Sequence, residues 1–294
     1  MQAVTVFNRS LKKMENEPIY FAKILSFLYG GSLFSLPILF LISRYSFCSA
    51  FFGLLQKSKF SRRKIGPFIA RFQIDANEFV KKEFSSFNDF FIRELKKTAR
   101  PLAKEGAVLP CDGKFLVFPQ IKEADGFAVK GKKFSLSSLL KDAKLAKRYE
   151  NGSMLIARLA PFDYHRFHFP FDCIPGVPRL INGAYFSVNP VAIRQNIAIF
   201  TQNKRILTEL ASQEYGKVLC VEVGATNVGS IIETFTPGKK YLRGEEKGYF
   251  AFGGSSLILL FEPGKIRFCD DLIERSLNKI ESKDRMGALL GRLT

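Results

Sequence analysis

The pattern of apolar and polar positions changes near residue 105. Before it, apolar residues recur at mixed three- and four-residue spacings between Phe68 and Leu95, as in EFVKKEFSSFNDFFIREL. Such spacing is typical of helix, and the serines at 85 and 86 predict a turn that interrupts it. The first hundred residues are therefore predicted to be mainly helical.

After Arg100 and Pro101, short apolar runs alternate with Gly, Pro, Asn and Asp, a pattern that indicates strands at the spacing of a barrel or sandwich. The runs are KFLVF, MLIARL, VLCVEV, SIIETF, SLILLF and KIRFC. The segment SLSSLLKDAKLAKRYENG, which begins at Ser135, predicts one helix that ends at Asn151 and Gly152. We predict an α+β fold, with a helical region over 1–105 and a β-rich core over 106–294.

The predicted helical region contains an uncharged apolar stretch of 20 residues, Ile24 to Ser43, followed by FCSAFFGLL and by KSKFSRRK, which has five positive charges in eight residues. Gly30, Gly31 and Pro37 interrupt the stretch, so two short interfacial helices are favoured over one spanning helix. A spanning helix and a buried helical hairpin remain alternatives.

Charge adds a constraint on partners. The chain of 294 residues has 45 Lys and Arg against 27 Asp and Glu, a net charge of +18, and residues 1 to 105 hold 18 of the positive charges against 8 negative ones. Such an excess requires an anionic partner, either nucleic acid or an acidic membrane surface. Because the basic cluster adjoins the apolar stretch and no nucleic-acid-binding motif is recognisable, the membrane is favoured.

Composition also restricts the chemistry. A hydrophobic content of 47% allows a sizeable core and excludes a disordered tail. The five cysteines form no CxxC pair, which argues against a zinc site or a redox dithiol and favours reduced thiols in a cytoplasmic compartment. Only two histidines, His165 and His168, could titrate near neutral pH.

The two histidines lie together in RLAPFDYHRFHFPFD, close to Arg158, Asp163 and Arg166. One interpretation is a pair of buried, hydrogen-bonded imidazoles. A metal site is disfavoured because HExxH is absent and no other histidine or CxxC pair could complete the ligands. General acid or base chemistry fits better, since the neighbouring charges could tune the imidazoles or bind an anion.

Two further segments are candidates. Asp112 and Gly113 precede a predicted strand, where Asp-Gly usually forms a turn, and FGGSSLILLF places two serines after two glycines, where a hairpin turn is the structural alternative. One arrangement joins these segments: Asp112 orients His168, and His168 deprotonates Ser255. The GxSxG motif of serine hydrolases is absent, because Leu257 occupies the position of its second glycine.

Nine segments resemble, in order, the signatures of the phosphatidylserine decarboxylases, membrane enzymes made as self-cleaving proenzymes. The segments are SFNDFFIRELKKTARP, VLPCDGK, VKGKKFSLSSLL, APFDYHRFHFP, YFSVNP, VGATNVGSI, GEEKGYF, GGSSLILLF and RMG. The family's LGST motif is GGSS here, so Ser256 competes with Ser255 as the reactive residue. The position of the following LLF favours Gly254 and Ser255 as the scissile pair.

The resemblance implies a mechanism. Ser255, activated by His168 with Asp112 behind it, would attack the Gly254 carbonyl, and the resulting ester would break by elimination and leave a pyruvoyl group at residue 255. The products would be a β chain of 1–254 and an α chain of 255–294. The pyruvoyl group would form a Schiff base with phosphatidylserine and act as the electron sink for its decarboxylation to phosphatidylethanolamine, with His165 serving that step. No metal is implied.

The resemblance further implies a peripheral enzyme on the cytoplasmic face of the cell membrane, with phosphatidylserine in that membrane as substrate, and a homodimer. Two alternatives stay open. A lipid-directed serine hydrolase could use Asp112, His168 and Ser255 without cutting the chain, and a non-catalytic basic protein could bind membrane or nucleic acid.

Overall fold

The computed structural model describes residues 4–19, 27–28, 35, 37, 53–122, 135–189, 192–193, 198–224, 231–251 and 255–294. The stretch Ile24 to Ser43, apart from residues 27, 28, 35 and 37, lies outside the described residues, as does Gly254. The prediction of two interfacial helices falls on that stretch.

Within the described residues, strands, six α-helices and short 3₁₀ turns have defined bounds, and residues 53–57 are also helical. The strands are β1 (Val4–Asn8), β2 (Lys13–Glu17), β3 (Ala107–Val108), β4 (Gly113–Phe118), β5 (Ser153–Leu159), β6 (Arg166–His168), β7 (Ile174–Pro175), β8 (Arg179–Ile181), β9 (Arg205–Ser212), β10 (Gly216–Gly224), β11 (Ile231–Glu233), β12 (Glu246–Phe250), β13 (Ser255–Phe261), β14 (Arg267–Phe268), β15 (Ser282–Asp284) and β16 (Leu289–Arg292). The helices are α1 (Ile65–Phe72), α2 (Phe87–Phe91), α3 (Leu136–Leu140), α4 (Ala143–Tyr149), α5 (Ile199–Gln202) and α6 (Asp270–Leu277), and the 3₁₀ turns are Lys59–Lys64, Ala76–Glu78 and Lys97–Ala99.

A central sheet organises the core. Its order is β2-β1-β15-β4-β5-β13-β10-β9-β7, with β8 also paired to β9. Strands β5 and β13 are buried at every position, because their apolar runs are covered on both faces. All six predicted strand runs contain strands of the structure, so the β-rich core and the α+β class are confirmed.

The two faces of the central sheet are covered differently. On one face, Leu155, Ala157, Leu257 and Leu259 pack against phenylalanines of a small sheet of order β11-β12-β6. On the other face, Ile156, Ile258 and Leu260 pack against residues of helices α3, α4 and α5. A third sheet, of order β14-β16-β3, contributes to the first face through Ala107, Phe268 and Leu290. The site described below lies between the central sheet and the β11-β12-β6 sheet.

The predicted helical region requires a correction. Residues 4–17 form the β1–β2 hairpin, and β1 pairs in parallel with β15, so the first residues belong to the central sheet. Their side chains alternate between buried and exposed along β1, the period of a half-buried strand. The boundary at residue 105 stays a prediction, and the β1–β15 pairing crosses it.

The segment from Phe79 to Leu95 is less helical than predicted. Ser86 accepts a hydrogen bond from the Asp89 amide at 3.1 Å and caps the short helix α2, which confirms an interruption at the two serines. The residues from Phe79 to Ser85 bend without forming a helix, and Phe79 and Phe84 pack in one aromatic cluster with the phenylalanines of α1 and α2. This aromatic cluster comprises Phe68, Phe79, Phe84, Phe87, Phe90 and Phe91.

The helix predicted from Ser135 is divided in two. Lys141 has a left-handed backbone with φ of 46°, and the next residue, Asp142, accepts a hydrogen bond from the Leu145 amide at 2.9 Å and so starts α4. None of the helices in the described part of the chain has both the length and the apolar character that crossing a bilayer requires.

Candidate active site

Ser255 is the first residue of β13 and is fully buried. It pairs with Gly224 of β10 and with Leu159 of β5. Because side chains alternate along a strand, Ser255 shares the face of Leu257, which the β11-β12-β6 sheet covers. Its hydroxyl oxygen has no hydrogen-bond partner within the described residues.

Ser256, the competing serine, projects to the opposite face, where it pairs with Arg158 of β5. Arg158 binds the carboxylates of Glu17 and Glu281, the latter at 2.6 Å, so this face carries a buried ion-pair network. The two serine side chains therefore lie on different faces, and only that of Ser255 lies on the face covered by the sheet that contains His168.

His165 is hydrogen-bonded to two segments near Ser255: strand β12, which precedes it in the chain, and the turn after Leu159, its pairing partner on β5. Its backbone carbonyl accepts a hydrogen bond from the Phe250 amide at 3.0 Å, and Phe250 ends the strand that leads towards Ser255. On the other side, the turn that follows Leu159, the pairing partner of Ser255, ends at Asp163, whose carbonyl lies 2.9 Å from His165 Nδ1. The ring of Phe91 packs on the imidazole, with centroids 3.9 Å apart.

The hydrogen bond to the Asp163 carbonyl determines the tautomer of His165. A carbonyl can only accept, so Nδ1 carries the hydrogen and Nε2 keeps a lone pair, and Nε2 has no partner in the described part of the chain. Burial lowers the pKa of His165 to about 3, and the charges of Arg93 and Lys114 add to the effect. The imidazole is therefore neutral at pH 7 and offers a proton acceptor.

Arg93 holds the same turn in place. Its Nη2 donates to the carbonyls of Phe162 and Asp163, at 3.2 and 3.1 Å, so Arg93 and His165 share the Asp163 carbonyl. The guanidinium lies over the rings of Phe79 and Phe90, 5.4 and 4.9 Å from their centroids. Burial lowers the pKa of Arg93 to about 10, and the group stays charged at neutral pH.

Lys114 completes the support of this turn. Its Nζ binds the two carboxylate oxygens of Asp163 at 2.8 and 3.0 Å, and Asp163 also accepts the Ala160 amide at 2.6 Å. Sequence reasoning noticed Asp163 but missed Arg93 and Lys114. A charged residue inside the aromatic run FFIREL was the available signal for Arg93.

His168 ends β6 and faces a different set of groups. Its Nδ1 lies 3.0 Å from the Gly244 carbonyl, which again leaves Nε2 as the lone-pair nitrogen, without a partner among the described residues. Its backbone amide donates to the Pro110 carbonyl at 2.7 Å, which attaches β6 to the turn that contains Asp112. Burial lowers the pKa of His168, although the charges of Glu246 and Asp112 act in the opposite direction.

Asp112 is engaged by Arg100 instead of by His168. Arg100 donates from Nε at 2.9 Å and from Nη2 at 2.6 Å, and the Met286 amide donates to the same carboxylate at 2.8 Å. The guanidinium fork matches a carboxylate in two places, which makes this pairing strong. No hydrogen bond joins Asp112, His168 and Ser255 to one another in the described residues; the Gly244 carbonyl orients His168, and Asp112 acts on it through its charge.

Similarity to known proteins covers nearly the whole chain. The family model that matches residues 87–292 is described as phosphatidylserine decarboxylase. A protein of Chlamydia pneumoniae named phosphatidylserine decarboxylase proenzyme is 48% identical over 296 residues, which cover 99% of this chain and 98% of that protein. Proteins with the same name from Chlamydia caviae and Chlamydia muridarum are 48% and 47% identical, and the alignments cover 99% and 97% of this chain and 99% and 96% of those proteins.

Proposed function

Because the chain belongs to the phosphatidylserine decarboxylase family, we propose that it is made as a proenzyme and cut between Gly254 and Ser255, which leaves a pyruvoyl group at residue 255. The enzyme is a carboxy-lyase that converts phosphatidylserine to phosphatidylethanolamine. The observation that carries the cleavage proposal is the Ser255 hydroxyl, which is buried and unpartnered in the described residues and lies on the face covered by the β11-β12-β6 sheet.

The surroundings of Ser255 fit a pyruvoyl group. The residue directly across on β10 is Gly224, so no side chain from that pairing position stands between residue 255 and a bound amine. The unpartnered hydroxyl has no structural hydrogen bond to lose when it reacts. A pyruvoyl group held at residue 255 would supply an electrophilic ketone for the substrate amine and an electron sink for the carbon that bears the carboxylate.

In the proposed cleavage, His168 Nε2 accepts the proton of the Ser255 hydroxyl while that oxygen bonds to the Gly254 carbonyl carbon. The peptide C–N bond breaks, the nitrogen takes up a proton, and an ester replaces the amide. Loss of the Ser255 α-proton then breaks the Cβ–Oγ bond, forms a double bond between Cα and Cβ, and leaves Gly254 as a carboxylate. Water replaces the nitrogen, which leaves as ammonia. The neutral imidazole of His168 and its fixed Nδ1–H suit the base in this sequence.

His165 is proposed for the decarboxylation step. The substrate amine must be held against residue 255, and the unprotonated Nε2 of His165 can accept a hydrogen bond from it. Arg93 and the Asp163 carbonyl fix the ring, and Phe91 shields one of its faces from water.

The role of Asp112 gives a testable prediction. Asp112→Asn removes one of the charges that raise the pKa of His168 and so makes the imidazole a weaker base; cleavage should slow by much less than the roughly 100-fold cost of losing a general base. If Asp112 instead turned to hydrogen-bond His168 during the reaction, the loss would approach 10,000-fold, as for the orienting carboxylate of a triad. Pulse labelling followed by denaturing gels measures the cleavage rate.

Arg100→Gln is the matched control, because it breaks the same ion pair but keeps the carboxylate. If both variants slow cleavage equally and lower the melting temperature equally, Asp112 serves only the fold. Normal cleavage in Asp112→Asn would also contradict its assignment.

A location on the membrane surface is the second part of the proposal. The 3₁₀ turn Lys59–Lys64 and the residues before it expose large apolar side chains, with Phe60 81% and Leu54 66% accessible. Apolar groups beside basic ones suit an anionic lipid surface, and the cytoplasmic leaflet has that charge. We therefore propose peripheral binding to the cytoplasmic face. A homodimer stays a prediction from the family resemblance.

Neutralising the basic cluster should weaken binding to anionic vesicles. We expect about 1 kcal/mol per basic residue at low salt and little change at high salt when the cluster is replaced by Gln. The residues to replace are Lys57, Lys59, Arg62, Arg63 and Lys64. Vesicle sedimentation at two salt concentrations measures the effect. Gln at the exposed Lys141, Lys144 and Lys147 is the control and should weaken vesicle binding less for each charge removed. Vesicle binding that is unchanged by salt and by the substitutions would contradict an electrostatic contribution.

A further inference from the structure

A carboxylate pair, formed by the buried Glu222 of β10 and the partly buried Glu233 of β11, lies between the central sheet and the β11-β12-β6 sheet. Lys247 of β12 joins the two, with its Nζ 2.8 Å from Glu222 Oε1 and 2.9 Å from Glu233 Oε2. Thr208 accepts a third hydrogen bond from Lys247 at 3.2 Å, and the Cys220 thiol donates to Glu222 at 2.9 Å. Glu222 and Lys247 are almost completely inaccessible to solvent. The mechanism above assigns no task to this cluster.

The cluster lies on the same face of the central sheet as Ser255. Gly224 is directly opposite Ser255, and Glu222, two residues earlier on β10, is the first side chain beyond it on that face. Diagonal neighbours of this kind have Cβ atoms about 7–8 Å apart or somewhat less, within reach of a long side chain. Because Gly224 has no side chain, none from that position separates Glu222 from residue 255.

The balance of charge indicates a bound proton. Two carboxylates face one ammonium, and although burial opposes it, the carboxylates raise the pKa of Lys247 and keep it charged. The other titratable groups near Lys247, the thiols of Cys173 and Cys220, are kept neutral because burial raises their pKa values. A second buried negative charge would be unpaired, which is strongly unfavourable. Burial and the charge of Glu222 raise the pKa of Glu233 to about 8.

Two carboxylate oxygens of the pair, Glu222 Oε2 and Glu233 Oε1, are buried and have no hydrogen-bond partner in the described part of the chain. An unpartnered buried carboxylate oxygen is costly, whereas a protonated carboxyl lacks that charge. Of the two glutamates, Glu222 is the one on the sheet face of Ser255, and its Oε2 is unpartnered.

Decarboxylation creates a need for such a proton. When carbon dioxide leaves, the C–C bond breaks and its electron pair stays on the substrate carbon, which must then bond to a proton. His165 and His168 are both neutral and have their single N–H committed to a carbonyl. Asp163 and Asp112 are engaged by Lys114 and Arg100.

We propose that the Glu222–Glu233 carboxylate pair, bridged by Lys247, is the proton donor that completes decarboxylation at residue 255. The carboxyl O–H bond breaks as the C–H bond forms, and the pair regains its proton from solvent. This inference rests on the proposed function of Ser255.

The first test compares Glu222→Gln and Glu233→Gln, which keep the shape of the side chains. We expect both proteins to be cut into two chains at the normal rate, because the pair acts after cleavage. Carbon dioxide release should fall about 100-fold or more, the usual effect of losing a general acid. The decline of kcat near pH 8 that the native pair causes should also disappear in the residual activity. Glu214→Gln, an exposed change in the turn between β9 and β10, is the control.

The second test detects the proton without the pyruvoyl group. In the Ser255→Ala background, melting temperature is measured from pH 4 to pH 9 with and without Glu233→Gln. A carboxyl with a raised folded-state pKa binds more protons in the folded state, so its contribution to stability is lost as pH rises from about 4.5 to about 8. Glu233→Gln should remove that part of the decline, and Glu214→Gln should not.

The outcomes are distinguishable. If Glu222→Gln and Glu233→Gln both turn over at the native rate with the native pH profile, the pair is not the donor and the inference is overturned. If the melting temperatures show no difference in pH dependence, the pair holds no shared proton and the inference is overturned. Failure of the proposed function would instead show as a native chain that is never cut.

Discussion

Ser255→Ala should yield one uncut chain of 294 residues without decarboxylase activity, because alanine has no hydroxyl to attack the Gly254 carbonyl and no pyruvoyl group can form. The native protein should separate on a denaturing gel into two chains. Intact-mass measurement should find an α chain of 40 residues, 255–294, whose amino terminus is blocked to sequencing. This is the largest effect expected of any single substitution here.

Ser256→Ala is the matched control and should be cut and active, because its side chain lies on the face of Arg158 and the ion-pair network. If Ser256→Ala stays uncut and Ser255→Ala is processed, the scissile bond lies one residue later than proposed. A native protein that is fully active as a single chain would contradict the pyruvoyl mechanism and favour the serine hydrolase alternative.

His165→Ala should be cut normally but should decarboxylate phosphatidylserine 100- to 10,000-fold more slowly, a loss on the order of 3–5 kcal/mol in transition-state stabilisation. The expected defect is confined to turnover because cleavage is assigned to His168. The backbone hydrogen bond from Phe250 to residue 165 survives the substitution, so the strand that leads towards Ser255 keeps its attachment. A processing gel and a carbon dioxide release assay on the same preparation measure the two steps.

His168→Ala is the companion variant and should accumulate the uncut proenzyme. The opposite pattern, with His165→Ala uncut and His168→Ala processed, would exchange the two roles. This comparison is necessary because hydrogen bonds with Phe250 and Asp163 also place His165 near Ser255. Full cleavage and full turnover in His165→Ala would reduce His165 to a packing partner of Phe91.

The strands of the core follow from local sequence. MLIARL, VLCVEV and SLILLF are short apolar runs between turn residues, and a strand buried on both faces requires such a run. The structure places them in β5, β10 and β13, side by side in the central sheet. The order of the motifs also sufficed to identify the family.

The β1–β2 hairpin could not be predicted in the same way. VTVFN is only five residues long, and its partner β15 lies some 270 residues later, where Phe7 is opposite Ser282. Short strands take much of their stability from packing against neighbours, and local sequence does not identify a neighbour so distant. Helical spacing also failed as a guide before α2, where the chain bends and buries Phe79 and Phe84 in the aromatic cluster.

At the site, the sequence determined which chemical groups are available, because the chain has only two histidines and one pair of serines after glycines. Tertiary structure decided how they are used. Arg100 donates hydrogen bonds to Asp112, and the Gly244 carbonyl orients His168. Strand alternation puts the side chains of Ser255 and Ser256 on different faces of the sheet.

For the Glu222–Glu233 pair, too, the sequence supplies the chemical groups and the tertiary structure decides their state. In the sequence, Glu222 lies between two valines in VLCVEV and Lys247 follows two glutamates in GEEKGYF, and charged residues in such strand segments would ordinarily mark the solvent face. The β11-β12-β6 sheet covers that face and removes the water, so the charges must pair with one another and retain a proton. Residue types and strand periods are local properties of the chain, whereas burial, ion pairing and protonation depend on which distant segment covers each face.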